Sequence, residues 1–202
     1  MPLKNDELFS ITVKTFEGLE QVLCEELADL GLKEPKPVKR AVLVRGTLKD
    51  IYRINFWTRT GLAVLAELTS FKAQNEEELY DAAREFEWES VIPKGRTIAM
   101  FGSVYSSHFR HSKFPLLKVK DAVVDRLRDV YGVRPDVDRE RPDFQINVRI
   151  SENQVNLALD SSGAPLFKRG YRTGTNLAPL NESLAAGMLK IAGWKGDQNF
   201  VD

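Results

Sequence analysis

The sequence predicts an α+β fold. Three observations carry that reading. The 202 residues are 43% hydrophobic, enough to bury one large core or two small ones and too much for a disordered chain. Short runs alternate apolar and polar residues, as half-buried strands do. Between them apolar residues recur at three- and four-residue steps, the stripe of amphipathic helices. Lys plus Arg and Asp plus Glu number 29 each, so the chain has no global field to draw in a polyanion or a membrane, and any anion site must be local. A single cysteine, Cys24, excludes an internal disulfide, and two histidines, His108 and His111, are too few to complete a zinc set with it. The opening residues lack the apolar segment of a signal peptide, and no run approaches the ~18 apolar residues of a membrane span. These features predict a soluble, cytoplasmic protein.

The elements follow in order. Phe9, Ile11 and Val13 alternate with Leu8, Ser10 and Thr12, a strand, and Glu17-Gly18 makes a turn. Leu19, Val22, Leu23, Leu27 and Leu30 form a helical stripe that Gly31 can close in a left-handed cap. Beyond Pro35 and Pro37, Val38 to Arg45 reads as one β-rich run, and Leu48, Ile51, Tyr52 and Phe56 mark the buried side of a second helix. Leu62 to Leu68 is a further strand. This order fits a small ferredoxin-like unit over residues 1–71, with helices stacked on one face of an antiparallel sheet.

A second α/β unit is expected over 72–168. Glu76, Glu77 and Glu78 suit a helix N-terminus, and Leu79, Ala82, Ala83 and Phe86 supply its stripe. A strand at Thr97 to Val104 leads to a helix carrying Val119, Val123, Leu127 and Val130, which stops near Gly132. Phe144, Ile146, Val148 and Ile150, then Val155, Leu157 and Leu159, make a hairpin with one wet face. Residues 169–202 hold a loop, a helix at Asn181 to Ile191, and an apolar pair, Phe200-Val201, that begins a strand. The chain is therefore expected to be incomplete.

Chemistry concentrates in two basic clusters. From Tyr105 to Lys120 stand Arg110, Lys113, Lys118, Lys120 and both histidines, with no acid. They lead into a helix with Ser112 as its expected cap and Pro115 in its first turn. Cations there oppose the helix dipole unless an anion such as phosphate is bound between them. The alternative is that they are solvated, or paired with acids such as Asp121 and Asp125. Lys168, Arg169 and Arg172 surround Gly170 and Tyr171 in a second acid-free stretch, a mixture suited to RNA or to a packed junction. Arg139 and Arg141, among Asp136, Asp138, Glu140 and Asp143, are expected to form salt bridges. Trp57, Trp88 and Trp194 are expected in core or junction positions, and Cys24 as a packing residue. No glycine-rich phosphate loop, metal pair or nucleophile elbow is present.

Five segments in order then carry a resemblance: Gly18 to Gly31 (GLEQVLCEELADLG), Leu117 to Leu127 (LKVKDAVVDRL), Arg134 to Val148 (RPDVDRERPDFQINV), Ala158 to Arg172 (ALDSSGAPLFKRGYR) and Ala178 to Trp194 (APLNESLAAGMLKIAGW). The sequence resembles the N-terminal part of bacterial THUMP-domain methyltransferases that modify the guanine 2-amino nitrogen of large-subunit ribosomal RNA. The resemblance implies a ferredoxin-like domain (1–71), a THUMP RNA-binding domain (72–168) and the lead-in (169–202) to a Rossmann-like methyltransferase domain that uses S-adenosylmethionine. It implies RNA contacts from Arg110, His111, Lys113, Lys118, Lys120, Lys168, Arg169 and Arg172. His111 stands where the family has Asn.

The resemblance implies that Asn181, Glu182 and Asp202 fall at an incomplete cofactor site. The glycine-rich cofactor turn and the Asn-Pro-Pro-Tyr motif of the family are absent, so no catalytic residue, metal or bound cofactor is expected in this chain, and it should be inactive alone. Its expected partner is a structured stem-loop of large-subunit ribosomal RNA, with no DNA and no membrane. The alternatives are a protein-interaction module, or the THUMP part of another RNA-modifying enzyme such as a thiouridine synthase.

Overall fold

The computed structural model describes residues 8–109, 111, 113–170, 172, 174, 178–197 and 199. They form two compact units, one built from the described residues of Asn5–Leu65 and Ser161–Asp202, the other on Ala66–Asp160.

In the first unit, β1 (Phe9–Lys14) pairs antiparallel with β3 (Ala41–Gly46), which pairs with β2 (Lys36–Val38), and β1 is flanked on its other side by the start of β4 (Ala63–Lys72). The strands present Ile11, Val13, Val42 and Val44 to α1 (Glu20–Asp29) and α2 (Leu48–Trp57), which contribute Leu23, Leu27, Ile51 and Ile54. The expected single run at Val38 to Arg45 is instead a hairpin. Its two-residue loop takes Arg40 to φ +60°, and the Arg40 N–H donates to Glu20 Oε1 at 2.8 Å. Pro37 concealed β2 in the sequence, because proline is tolerated only where a strand lies at a sheet edge. The buried stripe of α2 is Ile51 and Ile54; Tyr52, Phe56 and Trp57 are all more than half exposed, against the expectation that they pack inside. Thr47 caps this helix through a reciprocal box with Asp50. Helix α5 (Glu182–Ile191) packs on α1 in the same unit.

The second unit orders its strands as β4, β7 (Gln154–Asp160), β6 (Phe144–Ser151) and β5 (Ile98–Tyr105), with β5 parallel to β6 and β6 antiparallel to β7. Alternate residues of β6, Ile146, Val148 and Ile150, are fully buried with Leu79 and Ala83 of α3 (Glu76–Glu85) and Val119, Val123 and Leu127 of α4 (Phe114–Tyr131). Both helices therefore cover one face of the sheet. Asn75 caps α3 by accepting the N–H groups of Glu77 and Glu78. Trp88 is fully buried and its indole donates to the Ala83 carbonyl at 2.7 Å. Gly132 ends α4 at φ +72° in a left-handed cap, at the stop the sequence indicated.

Arg139 and Arg141 do not form the expected bridges among the described residues. Asp138 Oδ1 accepts the backbone N–H groups of Glu140 and Arg141 in a local turn, and Asp143 is taken by Thr97 and Arg96 from a distant segment, so both acids are claimed elsewhere. Among the described residues no helix is long and apolar enough to cross a membrane.

Candidate nucleic-acid interface

The first basic cluster lies where β5 hands over to α4. Phe109, 3% exposed, anchors the connecting loop in the core and leaves His108 and His111 exposed on either side. A second anchor is Glu152 on the β6–β7 turn, which accepts the Ser107 hydroxyl at 2.8 Å and its N–H at 3.2 Å. These bonds hold the Glu152 carboxyl below its ordinary value.

Helix α4 begins at Phe114, so the capping position falls on Lys113 rather than the expected Ser112, which lies outside the described residues, as does Arg110. The Lys113 backbone is already helical there, among the described residues no side chain caps the helix, and its first turn holds no acid. Exposed Lys113 and His111 therefore stand at a helix N-terminus, at its positive dipole end, although the Phe114 and Leu117 N–H groups already donate to the His111 and Lys113 carbonyls. Lys118 follows one turn later, its Nζ 5.7 Å from the Phe114 ring centre. Lys120 differs from these. It is paired with Asp121 at 2.7 Å, which leaves it less available to an external anion.

The second cluster lies in the other unit, and two of its three cations are committed internally. The Arg169 guanidinium donates to the carbonyls of Asn55 at 2.9 Å, Phe56 at 3.2 Å and Thr58 at 2.7 Å, capping the C-terminal end of α2. Arg172 pairs with Glu182 at 3.3 Å and donates to the Leu180 carbonyl at 3.0 Å. Lys168 is exposed beside them on an open groove that also includes Phe167 and Pro179. Asn181 Oδ1 accepts the N–H groups of Ser183 and Leu184 as the α5 cap. Glu182 Oε1 is held by Arg172, so of the cofactor residues named from sequence Asn181 Oδ1 serves the helix cap and Glu182 an ion pair. Asp202 and Tyr171 lie outside the described residues. No group of three His, Cys, Asp or Glu among the described residues could hold a metal ion.

The sequence reading left Arg169 between an RNA contact and a junction role, and it missed Glu26. Glu26 sits between Leu23 and Leu27 on the buried stripe of α1, and an acid at such a position was the available signal. It missed as well the exposed rings of Phe101 and Tyr105 on β5.

Two α+β units, one with an acid-free basic helix entry, define the class structurally. Comparison with known proteins gives the family of its parts. Residues 73–160 match the THUMP domain, residues 10–65 the RlmL ferredoxin-like domain, and residues 169–202 the RMKL-like methyltransferase domain. The chain thus carries a THUMP domain match over residues 73–160, and it is similar to the N-terminal part of ribosomal RNA large subunit methyltransferases. Such an enzyme from Syntrophotalea carbinolica, Ribosomal RNA large subunit methyltransferase K/L, is 40% identical over 88% of this chain and 25% of its own length. A putative RNA methyltransferase from Synechocystis is 37% identical over 96% of this chain and 52% of its own. The crystal structure of a putative methyltransferase complexed with SAH superposes with a TM-score of 0.84 at 28% identity, covering 98% of this chain and 52% of that one. The chain thus spans between a quarter and about half of these curated relatives.

Proposed function

We propose that this chain is the RNA-recognition portion of a cytoplasmic large-subunit ribosomal RNA methyltransferase that acts on the guanine 2-amino nitrogen. The reading is carried by one observation: the THUMP match contains a helix entry, at α4, that gathers Lys113, His111 and Lys118 and holds no acid in its first turn. A phosphate there would meet the cations and the helix N-terminus together. Arg110, adjoining in sequence, is assigned to the same contact. Lys168 adds a solvent-exposed cation in the other unit, whereas Arg169 and Arg172 chiefly order the C-terminal segment. The names of the relatives support the ribosomal RNA substrate, and the sequence resemblance supports the guanine position. S-adenosylmethionine belongs to the complete enzyme. This chain alone binds structured RNA and does not methylate.

The test is binding of the chain to a large-subunit ribosomal RNA stem-loop and to a DNA duplex of equal charge across a salt series. RNA-preferring affinity that falls with salt is expected. Replacing Arg110, Lys113 and Lys118 by Ala should flatten the salt slope by up to about one unit per lost phosphate contact. An unchanged slope would remove α4 from the interface. Saturable S-adenosylmethionine binding by calorimetry would overturn the assignment of cofactor binding to the complete enzyme only.

A further inference from the structure

The THUMP unit has a second feature that phosphate contacts do not use. Its sheet carries helices on one face, and the opposite face of β5 presents Phe101 at 41% exposure and Tyr105 at 72%. Strand side chains alternate between faces, so Phe101, Ser103 and Tyr105 share a side, while Met100 and Val104 pack against the core. The register supplies their neighbours. Phe101 lies opposite Asn147, Ser103 opposite Arg149, and Arg149 in turn opposite Asn156. Arg149 is exposed, and none of the ion pairs among the described residues includes it.

We propose that this open sheet face stacks unpaired bases of the RNA on Phe101 and Tyr105, with Arg149 meeting the backbone between them. The proposal rests on the RNA reading above and names which part of the RNA the unit takes. Two rings four residues apart on one strand stand about 13 Å from each other, so each receives its own base. Asn147 and Asn156 offer amide donors and acceptors to base edges. A paired helix keeps its base faces stacked inside and cannot use such a platform, whereas single strands splay theirs out. A protein-docking face would instead join aliphatic side chains into a continuous patch, and here the rings are set among amides, a serine and an exposed guanidinium. The acid at the rim, Glu152, is already held by Ser107.

The experiment uses the 202-residue chain and two RNAs of equal nucleotide count, a hairpin with an unpaired segment containing 2-aminopurine and a fully paired duplex. The unsubstituted chain should prefer the unpaired segment and change the 2-aminopurine fluorescence on binding. Phe101→Ala and Tyr105→Ala should each weaken that binding roughly five-fold or more, leaving duplex affinity and the salt slope as they were, and Tyr105→Phe should retain it. Tyr105 is largely exposed, so its substitution tests the proposal without endangering the fold. Unchanged binding by both alanine variants would overturn the stacking platform and leave phosphate recognition standing. Loss of self-association, seen by sedimentation in the same variants, would make the face a contact between copies and would also overturn it. Failure of the unsubstituted chain to bind either RNA would overturn both readings.

Discussion

Lys190 of α5 reaches the buried carboxylate of Glu26 on α1, with Nζ 3.7 Å from Oε1. The same carboxylate accepts the Thr58 hydroxyl at 3.0 Å, the Arg59 N–H at 2.8 Å, and the Thr60 N–H and hydroxyl at 3.1 and 2.6 Å. A charge 6% exposed is tolerated because its lone pairs are filled, and its donors tie α1, the α2–β4 turn and α5 together within one unit. Glu26→Ala would strand those donors in the interior. A loss of about 3 kcal/mol or more in urea unfolding is expected, against under about 1 kcal/mol for Lys190→Ala at the exposed end of the pair. Equal costs for the two would contradict this account.

Gly102 follows Phe101 on β5, and a Cβ there would run into the Val148 carbonyl on the paired strand. The obstacle is backbone, which has no rotamer to give. Gly102→Ala should therefore cost about 3 kcal/mol or more and raise amide exchange along β5 and β6. A wild-type unfolding midpoint would show that the strands can part there.

Arg169 is expected to matter for stability and not for the ionic part of RNA binding. Removing its guanidinium leaves the carbonyls of Asn55, Phe56 and Thr58 without their donor. Arg169→Ala should lower unfolding free energy by about 1–2 kcal/mol with the salt slope of RNA binding unchanged. Arg169→Lys should recover only part, since one ammonium cannot match the fork that spans three carbonyls. A flattened slope would instead place Arg169 on a phosphate.

The Ser107–Glu152 contact gives a pH dependence of defined sign. The folded carboxyl lies below its ordinary value of 4.5 because Ser107 donates from both hydroxyl and N–H. A depressed carboxyl contributes stability that is present above the ordinary value and lost as pH falls through the lower, folded value. Acidification below 4.5 should therefore loosen the loop that carries His108 and His111. A carbon-detected titration of Glu152 checks this, and Ser107→Ala should bring its midpoint up toward the ordinary value. An unmoved midpoint would assign the shift elsewhere.

How much was legible from sequence differs between the two units. In the second, Leu79 with Ala83 and the alternating Ile146, Val148 and Ile150 gave the helices, the hairpin and the buried face, because burial on one side imposes a period that survives in the residue order. In the first, Tyr52, Phe56 and Trp57 looked like core and are exposed, because α2 buries only the narrower stripe of Ile51 and Ile54. Hydrophobic identity does not report how far round a helix its neighbours reach.

The sequence by itself determined the α+β class, the element order, the acid-free entry to α4 and the family resemblance. These reside in local pattern and charge, which need no knowledge of what folds against what. Only the tertiary structure decided which cations remain available. Lys113 and Lys168 face solvent, while Arg169 is spent on carbonyls more than a hundred residues earlier in the chain, Arg172 on Glu182 and Lys120 on Asp121. Such pairings are set by distances between chain segments, and an isolated row of residue types contains no such distances.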